Sequence, residues 1–72
     1  MLRVNYKEMK WEEGMTVKNL LQEMKQDKTY SLFLGGKVTV IVNNTVIPPN
    51  DYSKTYLQNG DEIRVYPYIG GG

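Results

Sequence analysis

The chain has 72 residues, enough for one small domain, and its hydrophobic (40%) and charged (24%) contents are ordinary for a globular protein. Nine lysines and arginines against eight acidic residues leave a net charge of +1, which excludes the strongly basic surface of a nucleic-acid-binding domain. The lack of cysteine and histidine excludes a disulfide framework, a Cys/His zinc site, a catalytic thiol and a histidine-based triad.

The first predicted element is a β-hairpin. Residues 2–6 alternate apolar and polar side chains, the period-2 pattern of a half-buried strand, with Tyr6 on the apolar face. Residues 7–8 form a short polar break, and residues 9–12 alternate again as a second strand. The two runs are close enough to pair as a hairpin, although the break lacks the favoured Asn-Gly or Asp-Gly pair.

One amphipathic helix is predicted after Gly14. Thr16 is its expected N-cap, because the threonine hydroxyl can accept a hydrogen bond from a backbone N–H of the first turn. The helix is expected to end at residue 26 or 27. Apolar residues recur at positions i, i+3, i+4 and i+7, which places them on one face. These residues are Val17, Leu20, Leu21 and Met24.

The second half of the chain contains three predicted strands. Residues 28–37 show neither a helical nor a strand period. Residues 38–42 are rich in β-branched side chains and apolar on both faces, which favours a strand with neighbours on both sides. The Asn-Asn pair at residues 43–44 turns the chain into a short strand, residues 45–47, which two prolines end. Residues 62–66 form the last strand, after a Gly-Asp turn.

This order of elements predicts an α+β roll, in which one amphipathic helix packs on one face of a mixed four- to five-stranded sheet. The last strand turns Ile63 and Val65 inward, and placing it beside the first strand closes the sheet most economically. That is the β-grasp (ubiquitin-like) arrangement. We assign residues 1–66 to this domain and residues 67–72 to a flexible C-terminal Gly-Gly tail.

Four segments, taken together and in this order, resemble one known family. Residues 13–21 resemble the entry to the family's helix, and residues 38–44 with residues 46–48 resemble its central strand, turn and short strand. Residues 57–63 resemble its Gly-Asp turn into the last strand, and the terminal Gly-Gly matches its hallmark. The family is that of the ThiS-type sulfur carriers, within the ThiS/MoaD ubiquitin-like proteins.

The resemblance implies a protein co-substrate and not an enzyme. The resemblance implies that a ThiF-like enzyme uses ATP to adenylate the carboxyl group of Gly72. Sulfur derived from a cysteine desulfurase then converts this group to a thiocarboxylate. Thiazole synthase would accept the sulfur in thiamin biosynthesis. The chain itself is expected to bind no cofactor, metal, nucleic acid or membrane. We expect a cytoplasmic protein, because no apolar run approaches the ~20 residues of a membrane span and the start lacks a signal-peptide core.

The terminal carboxylate of Gly72 is the reactive group to which the residues themselves point. It is ionised at neutral pH, and an ionised carboxylate can attack the α-phosphate of ATP if a partner aligns the two. Gly70 and Gly71 have no Cβ and suit a narrow channel. The four residues beyond Tyr68 reach roughly 13 Å when extended. The alternative is that the glycines are a disordered chain end without a function.

A docking surface is predicted on the sheet face opposite the helix. Its candidates are Ile41, Arg64, Tyr66 and Tyr68, with Ile69 on the tail. An exposed isoleucine beside tyrosine and arginine is the composition expected at the centre of an interface. The alternatives are a lone exposed apolar residue at Ile41 and cross-strand packing at Tyr66.

Two other functions stay open on the sequence alone. One is the same carrier chemistry with a different acceptor, such as a molybdopterin precursor, a tRNA base or an amino-acid precursor. The other is a ubiquitin-like modifier or interaction module, in which Gly72 is joined to a lysine amine or is never activated.

Overall fold

The computed structural model describes residues 1–34 and 36–67, except for the side chains of residues 32 and 33. The elements in chain order are β1 (Leu2–Val4), β2 (Lys7–Met9), α1 (Val17–Lys25), α2 (Lys28–Leu34), β3 (Val38–Val42), β4 (Thr45–Ile47), a single 3₁₀ turn (Pro49–Asp51) and β5 (Glu62–Pro67). The strands form one five-stranded sheet in the order β2-β1-β5-β3-β4. β5 runs parallel to β1, and the other neighbouring pairs are antiparallel.

The sheet has the predicted β-grasp arrangement. The last strand, β5, lies beside the first, with Val4 opposite Ile63 in parallel register. β3 has neighbours on both sides, as its apolar faces predicted. This confirms the α+β fold class. β5 extends through Pro67, one residue beyond the predicted end of the strand.

The first hairpin turns at Asn5 and Tyr6, so the predicted break at residues 7–8 is wrong. Both turn residues have positive φ angles, 49° and 70°, as in the two-residue turns that match the twist of a hairpin. Val4 therefore pairs with Lys7, and the second strand spans Lys7–Met9 instead of the predicted residues 9–12. Tyr6 was predicted on the apolar face, but it lies in the turn and is 68% exposed.

The side chain of Asn5 holds this turn against β5. Its Nδ2 donates to the carbonyl oxygen of Val65 at 2.9 Å, and its Oδ1 accepts from the backbone N–H of Val65 at 2.8 Å. The backbone N–H of Asn5 also donates to the carbonyl oxygen of Ile63 at 3.0 Å. The asparagine amide thus continues the pairing of β5 at the point where β1 ends.

Helix α1 confirms the sequence prediction. The hydroxyl of Thr16 accepts from the backbone N–H of Asn19 at 3.2 Å, and Oδ1 of Asn19 accepts from the backbone N–H of Thr16 at 3.0 Å. This reciprocal pair is a capping box, with asparagine in the place usually taken by Glu or Gln. The predicted apolar face is buried: Val17, Leu20, Leu21 and Met24.

A second, seven-residue helix was not predicted. α2 occupies most of the segment that showed no clear period, and the carboxylate of Asp27 accepts from the backbone N–H of Thr29 at its start, at 2.8 Å. The described side chains that α2 places in the core are Tyr30 and Leu34, which are four residues apart and therefore share a face. Burial, and secondarily the charge of Asp27, raise the pKa of the Tyr30 hydroxyl above its ordinary value.

The core lies between the two helices and the inner face of the sheet. Leu57 fills it from the loop before β5, and Trp11 covers an edge of it. The indole N–H of Trp11 donates to the carbonyl oxygen of Leu57 at 2.9 Å. Core residues from the sheet are Leu2, Val4, Val40, Val42, Ile63 and Val65.

Candidate functional site

The predicted reactive end of the chain lies outside the described residues. This holds for Gly72, Gly71 and Gly70, and also for Tyr68 and Ile69, the two docking candidates that follow β5. The structure does describe the point from which they extend. Pro67 ends β5 and lies opposite Val38, the first residue of β3. The predicted reactive segment is therefore attached to a strand that pairs with β3 from Ile63 to Pro67 and with β1 at Glu62 and Ile63.

The three remaining docking candidates share one face of the sheet. In β5 the side chains of Ile63 and Val65 are buried, so Arg64 and Tyr66 point to the opposite side. The antiparallel register places Ile41 opposite Arg64. The structure thus brings Ile41, Arg64 and Tyr66 together. We call the side of the sheet away from the helices the outer face; its residues are Arg3, Glu8, Thr39, Ile41, Val46, Glu62, Arg64 and Tyr66.

One half of the outer face is apolar. Ile41 is partly buried in the sheet, Tyr66 is 41% exposed, and Val46 on the neighbouring strand is 62% exposed. Val46 lies directly opposite Ile41 in the β3–β4 hairpin. Cross-strand neighbours of this kind form one continuous surface, so Ile41 is not a lone exposed apolar residue.

Val46 was not among the predicted docking residues, although the sequence contains a signal for its position. The Asn43-Asn44 turn was predicted, and both residues have the positive φ angles of a two-residue hairpin turn, 48° and 71°. A two-residue turn fixes the register of the strands on either side of it, and this register places Val46 opposite Ile41.

The other half of the outer face is charged and is held in place by neighbouring side chains. Nη2 of Arg64 lies 3.7 Å from Oε2 of Glu62, and the guanidinium carbon of Arg64 lies 5.5 Å from the centre of the Tyr6 ring. An exposed ion pair of this kind adds little stability. Together with the aromatic contact, it orients the arginine across the sheet, where a partner can meet it. Tyr6, in the turn beside the outer face, was not among the predicted docking residues.

A depression of about 120 Å³ lies beside Ile41 and Arg64 on this face. Its wall is fixed by Asn43, whose Nδ2 donates to Oδ1 of Asp61 at 2.9 Å and whose Oδ1 accepts from the backbone N–H of Glu62 at 3.0 Å. The other carboxylate oxygen of Asp61 accepts from the backbone N–H of Gln58 at 2.8 Å. Asp61 is therefore occupied in turn hydrogen bonds, and the depression can accept one partner side chain.

The described residues hold no cluster of three or more acidic, cysteine or histidine side chains placed to bind a metal ion. Within the same ranges, no helix has the length and apolar character needed to cross a membrane.

A match over nearly the entire sequence decides the family. The family model of the ThiS family matches residues 2–72. The chain belongs to the ThiS family. Proteins of this family are small sulfur carriers and not enzymes. The resemblance inferred from the four sequence segments is thereby confirmed.

A solved structure agrees with this assignment. The crystal structure described as that of the thiamine biosynthesis protein (ThiS) from Geobacter metallireducens matches with a TM-score of 0.71. The two proteins share 27% sequence identity, and the match covers 99% of this chain and 97% of that chain. The fold is therefore the ubiquitin-like β-grasp of a ThiS protein.

A curated relative is much longer than this chain. The thiazole synthase of Paramagnetospirillum magneticum is 31% identical over 71 residues, which is 99% of this chain and 20% of that protein. The chain therefore spans a fifth of the length of the relative that it matches.

Proposed function

We propose that the chain carries sulfur for thiamin biosynthesis on the carboxyl group of Gly72. An oxygen of the carboxylate attacks the α-phosphorus of ATP and pyrophosphate leaves, which gives an acyl-adenylate. A thiol releases sulfide from the persulfide of a cysteine desulfurase, forming a disulfide. The sulfide then adds to the acyl carbon and AMP leaves, which gives the thiocarboxylate. The observation that carries this proposal is the ThiS-family match, which runs through residue 72.

The chemistry is proposed to take place in a ThiF-like adenylating enzyme, which binds the ATP. This chain then contributes position and recognition, because a free chain end cannot orient itself against a phosphate. The proline at residue 67 fixes its own φ angle and favours extended geometry at Tyr66. These two restraints act on the last described residues of β5, from which the reactive end continues. ATP and cysteine-derived sulfur are both found in the cytoplasm, where we place the protein.

The outer face is the proposed docking surface for this partner. It joins an apolar half around Ile41 and Val46 to an oriented arginine, Arg64, and β5 leads from it directly to the reactive end. Aromatic and arginine side chains beside apolar ones are typical of the energetically dominant centre of an interface.

Thiazole synthase is the proposed sulfur acceptor. The support is the relative from Paramagnetospirillum magneticum, which carries that name and contains a segment similar to this whole chain. When a carrier domain and a synthase domain lie on one polypeptide, each is present at a high effective concentration near the other. Separate proteins must reach the same contact by docking. We infer that this chain and a thiazole synthase form the equivalent pair.

The test of the carrier role uses the absence of cysteine. The chain is produced together with an adenylating enzyme and a sulfur source, and then treated with a thiol-alkylating reagent. Because the sequence has no cysteine, a label at the chain end reports added sulfur, and fragmentation should locate it on Gly72. No label, despite an adenylating system shown to be active, would contradict the proposal. Isopeptide-linked conjugates instead of the label would support the modifier function.

A substitution on the outer face tests the docking surface. Tyr66→Ala is expected to lower the kcat/KM of adenylation roughly tenfold, the usual effect of truncating an aromatic residue at the centre of an interface. The folded structure should persist, because the Tyr66 side chain is exposed. Steady-state pyrophosphate release measures the first effect, and the urea midpoint measures the second. Tyr56→Ala is the matched control, since Tyr56 is 65% exposed and is not on the outer face. Equal kinetics for both variants would remove Tyr66 from the docking surface.

A further inference from the structure

A groove of about 750 Å³ runs between α1 and the strands β3 and β4. Its floor is apolar and includes Leu21 from the helix, Ile47 from β4 and the ring of Tyr52. Ile47 and Tyr52 are partly buried against the core, and burial raises the pKa of the Tyr52 hydroxyl above its ordinary value. A volume of this size lies within the ~300–1,000 Å³ range of ligand sites.

The rim of the groove is basic. It carries Lys18 and Lys25 on the helix side and Lys37 just before β3, all of them exposed. Among the described lining residues there is no carboxylate, although the chain has eight acidic residues in total. None of the three lysines forms an ion pair within the described parts of the chain. A nearly neutral protein therefore concentrates unpaired positive charge around one apolar groove.

The geometry of the groove favours an extended occupant. β4 is an edge strand, and Val46 and Ile47 from it line the groove. The open edge of a strand presents backbone N–H and C=O groups to a neighbouring chain. Lys18 and Lys25 are seven residues apart on the helix, which separates them by about 10 Å along its axis. An extended chain covers that distance in about three residues.

We propose that this groove binds an extended acidic peptide segment of a partner protein. Its carboxylates meet the lysines on the rim, and an apolar side chain between them lies on the floor formed by Leu21, Ile47 and Tyr52. The groove is continuous with the outer face, because Thr39 and Val46 belong to both. The binding uses neither the carboxyl group of the chain end nor its activation, so it stands apart from the sulfur chemistry.

The experiment measures binding of a short fluorescent peptide in which glutamate alternates with leucine. The full chain is compared with the triple variant Lys18→Gln, Lys25→Gln and Lys37→Gln. Roughly tenfold weaker binding is expected, because each exposed ion pair contributes a factor of only a few. Binding should also weaken as the ionic strength rises. The matched control removes three lysines outside the groove: Lys7→Gln, Lys10→Gln and Lys28→Gln.

Two further measurements distinguish binding in the groove from nonspecific electrostatic binding elsewhere on the protein. Replacing the leucines of the peptide by serine should weaken binding, since the floor is apolar. The amide signals that shift on titration of the unmodified chain should come from α1, β4 and the start of β3. Equal losses in both triple variants, or no effect of the serine peptide, would overturn the proposal.

A second copy of this chain is the competing occupant. Sedimentation of the full chain without peptide distinguishes it from a partner segment. A monomer across the concentration range supports the proposal. A dimer that disappears in the groove triple variant and persists in the control would overturn it.

Discussion

Removal of Gly72 is expected to lower sulfur loading at least ~100-fold. The shortened chain still ends in Gly-Gly, so its terminal carboxylate is chemically equivalent to the original one. What changes is its reach, which falls by about 3.5 Å. Misplacing a reacting atom by as little as ~1 Å can cost a factor of about 100 in rate, because the nucleophile no longer meets the phosphate in line. The measurement is the rate at which alkylatable sulfur accumulates on the chain.

The shortened chain should still bind the adenylating enzyme, because the outer face is unchanged. We therefore expect it to compete with the full-length chain and to inhibit its loading. This separates a loss of reach from a loss of docking, since a chain that cannot dock cannot compete. Loading of the shortened chain at a rate near that of the full chain would show that the position of the carboxylate is unimportant.

The β3–β4 part of the sheet was predictable because the sequence features that indicate it are local. Alternating apolar residues at positions 38–42 and the Asn43-Asn44 turn together predict a hairpin. The same logic failed at the first hairpin. Leu2, Val4 and Tyr6 alternate as in a continuous strand, and tyrosine in the left-handed region is uncommon, so the sequence gives little indication that Tyr6 belongs to the turn.

Helix α2 was missed because it is short. Seven residues allow only two turns, and too few apolar repeats to establish a helical period. Isolated helices of this length are marginal in water, and most of their stability comes from tertiary packing. Here that packing comes from Tyr30 and Leu34, whose burial is decided by the position of α1 and β5.

The groove could not be predicted, because its lysines are brought together by the fold. Lys37 lies twelve residues beyond Lys25 in the sequence, with α2 between them. The lysines are spread along the chain, so no basic run in the sequence marks the groove. The proposed docking surface was partly predictable, since alternation along β5 places Arg64 and Tyr66 on one face. Its cross-strand members Val46 and Thr39 require the register.

Replacement of Asn5 by alanine is expected to destabilise the fold by several kcal/mol. Asn5→Ala removes both hydrogen bonds to Val65, a residue that is 1% exposed. A backbone group left buried without a partner costs about 1–3 kcal/mol. Alanine in the left-handed region adds roughly 1 kcal/mol of backbone strain. Since such terms are not additive, we expect a loss of about 3 kcal/mol in the free energy of unfolding, measured by urea denaturation.

A loss of this size matters because the domain is small. A chain of this length is expected to have a total stability of roughly 4–11 kcal/mol. The effect should also be local, because Asn5 anchors β5 two residues before Pro67, where the reactive segment begins. Hydrogen exchange of the Val65 amide should therefore accelerate more than that of the Val40 amide on the neighbouring strand. Equal acceleration at both would indicate global destabilisation alone.

Two further variants separate the hydrogen bonds from the backbone strain. Asn5→Gly removes the same hydrogen bonds but accepts the positive φ angle without strain, so it should destabilise the protein by about 2 kcal/mol. Asn44→Ala is the matched control, since Asn44 has a φ angle of 71° and its side chain forms no hydrogen bond within the described residues. It should cost about 1 kcal/mol, from strain alone. If Asn5→Gly were as stable as the unmodified chain, the asparagine amide would not be what holds the first hairpin against β5.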